Sequence, residues 1–371
     1  MNSLSKLALV LTFCTGMIAC SGGKAVKGDY GVVPLPQEVT LTNGNPFVLS
    51  PFTKIFYPEG NDKMKKNAEF LASYIKEITG YELATATGQP GKGISLVIDQ
   101  SIQNPEGYQL TVSDNGIRIA GSTDAGVFYG IQTLRKSIPA TAQGMNVELP
   151  AATINDYPRF AYRGMMLDVS RHFFPVDSVK TYLDILALHN QNTFHWHLSD
   201  DQGWRIEIKK YPELAEIGGQ LPNNGRKGGY YTQEEFKDLV NYAKERFITI
   251  IPEVDIPGHT AAIFAAYPDF KNAVKFKTNV NIPGQAFNAL DVDDPKAMQF
   301  TEDVIAELAA LAPGNYIHIG GDEAIGLPHD KFVRFINKTR EIVLKNGKKM
   351  VGWQETARAD ISEGDVIQHW I

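Results

Sequence analysis

Two adjacent carboxylates, Asp322 and Glu323, follow a short apolar run and two glycines. The run 316–319 has the composition of a buried strand, and Gly320-Gly321 follows it directly. Neighbouring side chains of a strand point to opposite faces, so adjacent acids share a pocket only where glycine lets the chain leave strand geometry. Paired carboxylates there suit glycoside hydrolysis, in which one acid protonates the leaving oxygen while the other manages charge on the sugar. The alternative is a loop carrying two solvated acids.

The elements that must position these acids alternate between strand and helix from Tyr162 onward. Strands are predicted at 163–169, 193–198, 247–254, 287–291, 316–319, 350–353 and 366–370, the fourth of them weakly. This alternation implies a parallel sheet, and seven such strands resemble a (β/α)8 TIM-type barrel. The chain stops at Ile371, directly after the seventh predicted strand, so the last unit of the barrel is expected to be missing from it.

Helices are predicted between the strands from apolar periodicity and from capping signals. The segments 177–189 and 331–345 place apolar residues at helical spacing. Thr232 and Glu235 form the pattern of a capping box, and Asp294-Pro295 places a capping residue before a proline suited to the first helical position. These signals predict four helices on the outside of the sheet.

A smaller domain is expected before the barrel. Residues 30–150 combine alternating strands with a helix at 125–138, and Asp114-Asn115-Gly116 between two alternating runs predicts a hairpin. We interpret this part as a small α+β domain, with the barrel occupying 151–371.

Polar and aromatic residues recur where the predicted strands of the barrel end. Functional residues of such barrels gather at the carboxyl ends of the strands. The clusters are Arg171-His172-Phe173, His195 to Arg205 (HWHLSDDQGWR), Pro252 to His259 (PEVDIPGH), Asp322-Glu323, Trp353 and Trp370.

These motifs, in this order, resemble the family 20 glycoside hydrolases, the β-N-acetylhexosaminidases, over about residues 30–371. The resemblance implies an exo-acting, retaining enzyme without a protein nucleophile, in which the 2-acetamido group of the substrate attacks the anomeric carbon. Glu323 would be the general acid and then the base, and Asp322 would orient the acetamido N–H and stabilise the cyclised intermediate. A neighbouring negative charge favours the protonated form of an acid, which suits two adjacent carboxyl groups with different tasks.

The resemblance assigns further residues to the same site. Arg171 would grip sugar hydroxyls, although a structural salt bridge with Asp200 is the other interpretation. Asp200 and His259 would form a relay in which the aspartate orients the histidine and the histidine adjusts Glu323. Trp353 and Trp370 would wall the pocket around the N-acetyl group, although either tryptophan taken alone has the character of a core residue. The substrate implied is a glycan with a terminal N-acetylhexosamine, and no cofactor is expected.

The first 20 residues have the pattern of an export signal. Lys6 precedes the mostly apolar segment 7–18, and Ile18-Ala19-Cys20 resembles a bacterial lipoprotein signal in which Cys20 carries the lipid, with Met17 where leucine is usual. An ordinary cleaved signal is the alternative. Residues 21–29 would be a flexible tether, and the protein is expected to be exported and lipid-anchored in the bacterial cell envelope. At most one cysteine would remain, which excludes an intrachain disulfide.

The composition argues against nucleic-acid-binding proteins, and two hypotheses other than a glycoside hydrolase stay open. The net charge of −6 with no basic block argues against nucleic-acid binding. His195 and His197 alternate on one strand, which would suit a metal-dependent amidohydrolase barrel, with His318 and His369 as later candidates. A glycan-binding protein that has lost catalysis is the third possibility, against which the presence of both Asp322 and Glu323 argues.

Overall fold

The computed structural model describes residues 25–88, 91–221, 225, 227–274 and 288–370. The predicted signal, Cys20 and the first part of the tether lie outside the described residues. Within that part of the chain, no helix combines the length and the apolar character that crossing a bilayer requires.

The N-terminal domain is an α+β structure built on a seven-stranded sheet with a three-stranded sheet beside it. The larger sheet has the strand order β2-β10-β7-β8-β6-β4-β5, and the smaller one has the order β1-β9-β3. The strands are β1 Ala25–Lys27, β2 Glu38–Leu41, β3 Phe47–Leu49, β4 Lys54–Tyr57, β5 Ala84–Thr87, β6 Ile94–Ile98, β7 Tyr108–Ser113, β8 Gly116–Gly121, β9 Asn146–Leu149 and β10 Ala152–Asp156. Two helices, α1 Asp62–Thr79 and α2 Asp124–Ser137, pack on each other and on the larger sheet.

Local signals place most of these elements. The predicted hairpin is the antiparallel pair β7–β8, and Gly116 at its turn has a φ of 153°. Asn61 and Thr123 each accept a backbone N–H at the start of α1 and α2, as N-cap residues do.

Two boundaries of this domain differ from the prediction. Strand β10 hydrogen-bonds to both β2 and β7, so the domain continues to Asp156 rather than ending at residue 150. Part of the predicted tether is also ordered, because Ala25–Lys27 pairs in parallel with β9. Pairing with distant strands decides both points, and the local sequence carries no signal for it.

The second domain carries the strand and helix alternation of a TIM-type barrel. Among the described residues, six parallel strands follow one another in the order β11-β12-β15-β16-β17-β18, and β13 and β14 form a small antiparallel pair. The strands are β11 Gly164–Asp168, β12 Thr193–His197, β13 Ser199–Asp200, β14 Gly203–Trp204, β15 Thr249–Glu253, β16 Tyr316–His318, β17 Lys349–Trp353 and β18 Val366–Gln368. The helices are α3 Val176–Leu188, α4 Glu213–Glu216, α5 Gln233–Glu245, α6 Ala261–Ala266, α7 Pro295–Leu311 and α8 His329–Lys345, with short 3₁₀ helices at Gly218–Gln220 and Gln354–Arg358.

The predicted helix starts are confirmed. Thr232 and Glu235 form the complete capping box at α5, and Asp294 caps α7 with Pro295 in its first turn. The amphipathic helices α5 and α8 bury one apolar face each, including Phe236, Leu239 and Phe335. These faces cover the parallel sheet, α5 against β15 and α8 against β17. Strand β12, between β11 and β15, is buried at every position.

The weak strand predicted at 287–291 is wrong as a member of this sheet. Phe287 lies outside the described residues, and Leu290 forms only an isolated antiparallel bridge with Asn272. Asp291 is instead held by Lys271 and Lys331. Strand β16, which precedes the acidic pair, is therefore the fourth strand of the described sheet rather than the fifth.

Candidate active site

The acidic pair follows β16 in a turn that requires positive φ angles. Gly320 and Gly321 have φ values of 68° and 90°, and Glu323 itself has a φ of 37°. A Cβ atom on Gly320 would overlap the Asp255 carboxylate, and one on Gly321 would overlap Thr356. Glycine is therefore required both by the backbone conformation and by space. The turn releases the strand pleat, as predicted, and brings both carboxylates close to His259.

This turn gives a test with a matched control. Gly347 also has a left-handed φ, 71°, but no described heavy atom lies within 4 Å of the position of an added Cβ. We expect Gly347→Ala to cost roughly 1–2 kcal/mol of stability from backbone strain alone. Gly320→Ala should destabilise more, because Asp255 must also move, and it should lower turnover by moving Asp322. Equal losses of unfolding free energy and unchanged turnover, measured by denaturant titration and assay, would contradict this account of the turn.

Asp322 lies beside a buried acid, Asp255, and one ligand atom of each lies within 4.8 Å of the other and of His259. Two carboxyl groups this close favour a proton on one of them. Burial, and then the charge of Asp322, raise the pKa of Asp255 far above its usual value, which favours Asp255 as the protonated member of the pair. Burial also raises the pKa of Asp322, while its hydrogen bond with Asp255 and the charge of His259 oppose that shift. The second oxygen of Asp322, Oδ1, is buried without a hydrogen-bond partner among the described residues.

His259 connects Asp200 to the acidic pair. Its Nδ1 lies 3.1 Å from Asp200 Oδ1, and its Nε2 lies 3.6 Å from Glu323 Oε2 and 3.7 Å from Asp322 Oδ2. Burial opposes protonation of this ring, but the hydrogen bond and charge of Asp200 raise the pKa of His259 to about 9. The structure therefore brings together the four residues expected to be catalytic, with a cationic histidine facing Glu323 at neutral pH.

Arg171 lies at the same end of the sheet, directly after β11. Its Nη2 is 2.7 Å from Asp200 Oδ2, and its Nη1 is 2.9 Å from Asp168 Oδ2. The loop is fixed because Asp168 accepts the backbone N–H groups of Ser170 and Arg171, and because the buried Arg205 donates to the Ser170 carbonyl. The Arg171 side chain is 38% exposed while it is paired with Asp200. The salt bridge and a role towards substrate are thus compatible.

A second cluster lies beneath these residues and is centred on Glu253, which is fully buried at the end of β15. Its carboxylate accepts from His195 Nε2 at 2.6 Å, His197 Nδ1 at 2.5 Å and Trp353 Nε1 at 2.8 Å. Burial would raise the pKa of Glu253, but the surrounding histidines, above all His197, hold it well below its usual value. A buried carboxylate with three donors is a satisfied anion, and it fixes the rings around it.

The two tryptophans assigned to the pocket wall occupy different environments. Trp353 is buried at the end of β17, where its indole ring packs against His318 with centroids 5.0 Å apart. Trp370 follows β18 and is 45% exposed, and its indole N–H donates to Glu355. The structure places Trp353 next to the site, whereas the hydrogen bonds of Trp370 among the described residues go to Gln354 and Glu355. Their roles towards a sugar stay predictions.

Three residues of the network were not singled out from the sequence. Asp255 and Glu253 both lie in the motif 252–259, and the spacing of His197 from His195 predicts only a metal ligand. One signal could have found them: acids and histidines inside apolar strands are buried, and buried charges need partners. The partners come from other strands, so pairing them required the structure.

His195 and His197, the basis of the metal hypothesis, both face Glu253. His318, the third candidate, also lies beside Glu253, with its Nδ1 3.2 Å from the carboxylate. Burial lowers the pKa of His318 to about 4 despite that neighbour, and the Gly320 N–H donates to the same Nδ1 atom. Each ring thus has a hydrogen-bond partner, and His195, Glu253 and His318 also bring one ligand atom each within 4.8 Å of one another, so these described residues could hold a metal ion. His369 follows β18, the last strand of the described sheet.

Comparisons with known proteins agree with this geometry. The family model for the catalytic domain of glycosyl hydrolase family 20 matches residues 160–326, and the model for domain 2 of that family matches residues 29–157. The junction between the two matches falls directly after β10, where the structure changes domain. A solved N-acetyl-β-hexosaminidase of Streptomyces plicatus is 39% identical, with a TM-score of 0.83, over 91% of this chain and 68% of that one.

Curated relatives show the same likeness at different lengths. A β-hexosaminidase of Porphyromonas gingivalis is 35% identical over 91% of this chain and 47% of its own length. A β-N-acetylhexosaminidase of Cellulomonas fimi is 33% identical over 92% of this chain and 69% of its own length. The chain thus spans about half of one relative and about two thirds of the other.

Proposed function

This chain belongs to glycoside hydrolase family 20, and from that premise we propose that it acts as a β-N-acetylhexosaminidase. It would remove terminal, non-reducing, β-linked N-acetylhexosamine, GlcNAc or GalNAc, from glycans with retention of configuration. The observation that carries the proposal is the pair Asp322 and Glu323, in which a buried, unpartnered carboxylate oxygen lies beside an acid in reach of a cationic histidine. A solved variant of the Streptomyces plicatus enzyme holds the product GlcNAc, which is consistent with this substrate class.

In the first step, the carbonyl oxygen of the substrate's 2-acetamido group attacks the anomeric carbon. The bond from that carbon to the leaving oxygen breaks, and Glu323 gives its proton to the leaving oxygen. The ring so formed carries a positive charge shared between its nitrogen and oxygen. Asp322 Oδ1 would accept the acetamido N–H and stabilise that charge, which gives the unpartnered oxygen its donor.

In the second step, water attacks the anomeric carbon from the face that the leaving group vacated. Glu323, now a carboxylate, takes the proton from water, the bond to the acetamido oxygen breaks, and the amide is restored. Two inversions give net retention. Asp255 would support both steps by staying protonated, because burial and the charge of Asp322 raise its pKa far above its usual value and so leave the negative charge on Asp322.

We also propose that the protein is exported and lipid-anchored in the bacterial cell envelope through Cys20. The support is the sequence pattern of residues 1–20 alone. A hydrolase of extracellular glycans would gain from this location, because its polymeric substrates do not enter cells.

The test is a panel of aryl β-glycosides that differ only at position 2 of the sugar. The account expects the 2-acetamido gluco or galacto substrate to be turned over at least about 100-fold faster than its 2-hydroxy counterpart, since only the former carries the nucleophile. Equal rates on both classes would contradict substrate assistance. Binding of the sugars without any turnover would instead support the impaired glycan-binding protein. Loss of activity on chelation would support the metal-dependent enzyme.

A further inference from the structure

His197 lies between two buried carboxylates and contacts both. Its Nδ1 is 2.5 Å from Glu253 Oε2, and its Nε2 is 3.0 Å from Asp200 Oδ2. An ionised carboxylate only accepts hydrogen bonds, and each ring nitrogen lies within hydrogen-bonding distance of a different carboxylate, so these two contacts favour a proton on both nitrogens. The side chain is therefore a buried imidazolium that bridges β15 and β13.

The surroundings of His197 favour this charged form. Burial opposes the charge, but Glu253 and Asp200 raise the pKa of His197 to about 10. The guanidinium of Arg171 opposes the charge on the ring: it also converges on Asp200 Oδ2, and its Nη1 lies 3.1 Å from His197 Nε2, so these two donors share the carboxylate oxygen and do not bond to each other. The titratable and charged groups that face His197 or its partner Glu253 are Asp168 and Arg171 from β11 and its loop, Asp200 from β13, His195 from β12, Glu253 from β15, Asp255 from the loop after β15 and His318 from β16.

The two carboxylate oxygens of Asp200 contact different partners. Oδ2 receives His197 and Arg171, and Oδ1 receives His259 Nδ1. A carboxylate is planar, so holding one oxygen fixes the direction of the other. His197 therefore sets the angle at which Asp200 presents Oδ1 to His259, and hence the position of His259 Nε2 relative to Glu323.

We propose that His197 is a positioning residue of the catalytic site: Glu253 holds its imidazolium, which in turn holds Asp200 in the orientation that directs His259 at Glu323. The relay then runs from Glu253 through His197, Asp200 and His259 to the acid. The inference rests on the proposed function, because it concerns turnover by Glu323. This positioning role differs from a purely structural role of His197 in one respect. The hydrogen bond of His197 to Asp200 affects turnover directly, whereas its hydrogen bond to Glu253 affects turnover only by way of the bond to Asp200.

Two substitutions at one position separate these bonds. The amide nitrogen of Gln reaches about as far as Nε2 of the histidine, so His197→Gln keeps a donor for Asp200 and loses the bond to Glu253. The amide nitrogen of Asn lies near Nδ1, so His197→Asn keeps a donor for Glu253 and loses the bond to Asp200. Both remove the positive charge. Stability of each variant is measured by thermal unfolding, and kcat and KM are measured on an aryl 2-acetamido-β-glucoside.

We expect kcat of His197→Asn to fall at least about tenfold below that of His197→Gln, with similar KM values. In an Asp200→Asn background the difference between the two should vanish, because the bond through which His197 acts is already impaired. Equal kcat values for the two single variants, or a tenfold difference that persists in the Asp200→Asn background, would overturn the proposal. Wild-type turnover of the same substrate tests the proposed function separately.

A measurement on the unmodified protein covers the case in which the variants do not fold. With ¹⁵N-labelled histidine, we expect His197 to show protons on both ring nitrogens at pH 8, where an ordinary histidine is neutral. A single protonated nitrogen at that pH would show that His197 does not donate to both carboxylates, which would contradict the proposal.

Discussion

Glu323→Gln should lower kcat on an aryl 2-acetamido-β-glucoside by about 10² to 10⁴-fold, the usual contribution of a general acid. The amide keeps the size of the side chain and can still contact the leaving oxygen, but it has no acidic proton to give. The fold should be unchanged, because Glu323 is exposed and lies on a turn whose geometry is fixed by Gly320 and Gly321. Steady-state kinetics with circular dichroism measures both parts of this expectation.

The leaving group supplies the internal control for Glu323→Gln. Substrates with strongly acidic phenols need little protonation, so the variant should lose least on them and most on an alkyl or sugar leaving group. Glu363→Gln, an exposed acid outside the site, serves as the matched control and should behave as wild type. A loss that is the same for every leaving group, or turnover that survives Glu323→Gln, would remove Glu323 from the role of acid.

Asp322→Asn should lower kcat on 2-acetamido substrates by about 10² to 10³-fold, as removal of one electrostatic stabiliser does. Two effects add: the charge opposite the cyclised intermediate is lost, and the new amide can turn its NH₂ group towards the acetamido N–H. The amide has the size of the carboxylate and removes one of two buried acids that lie close together, so stability should change much less than turnover. The measurement is kcat across the panel of 2-acetamido and 2-hydroxy glycosides.

Selectivity decides the interpretation of Asp322→Asn. If Asp322 acts on the acetamido group, the ratio of activities on 2-acetamido and 2-hydroxy substrates must fall in the variant. Asp269→Asn provides a control for the same chemical change at a residue that belongs to no part of the network. An equal loss on every substrate would show that Asp322 supports the fold of the site and does not orient the acetamido group.

The fold could largely be predicted because its signals are local. The capping box of Thr232 and Glu235, the Asp294-Pro295 start and the alternation of strand and helix each depend on neighbours in sequence. The prediction of a strand at 287–291 is wrong for the same reason. Its apolar residues have the local pattern of a strand, and only contacts with Asn272 and with two lysines show that the segment is not part of the sheet.

The site was only partly predictable. Motif order was enough to find Asp200, His259, Asp322 and Glu323, and the structure brings all four together. Whether an acid is charged depends on partners from other strands: the pKa of Asp255 is raised and that of Glu253 is lowered, although the two residues are two positions apart. No pattern in the segment 252–259 distinguishes them, because Glu253 meets histidines and Asp255 meets another acid.

The most direct measurement of substrate assistance is inhibition by a thiazoline analogue of the cyclised N-acetylhexosamine. This compound carries the fused five-membered ring that the acetamido attack would form, with sulfur in place of oxygen, and its ring nitrogen faces Asp322. The account predicts competitive inhibition at least about 100-fold tighter than binding of the free sugar, and weakened by Asp322→Asn. Binding no tighter than that of the free sugar, in a protein that turns over the parent glycoside, would contradict it.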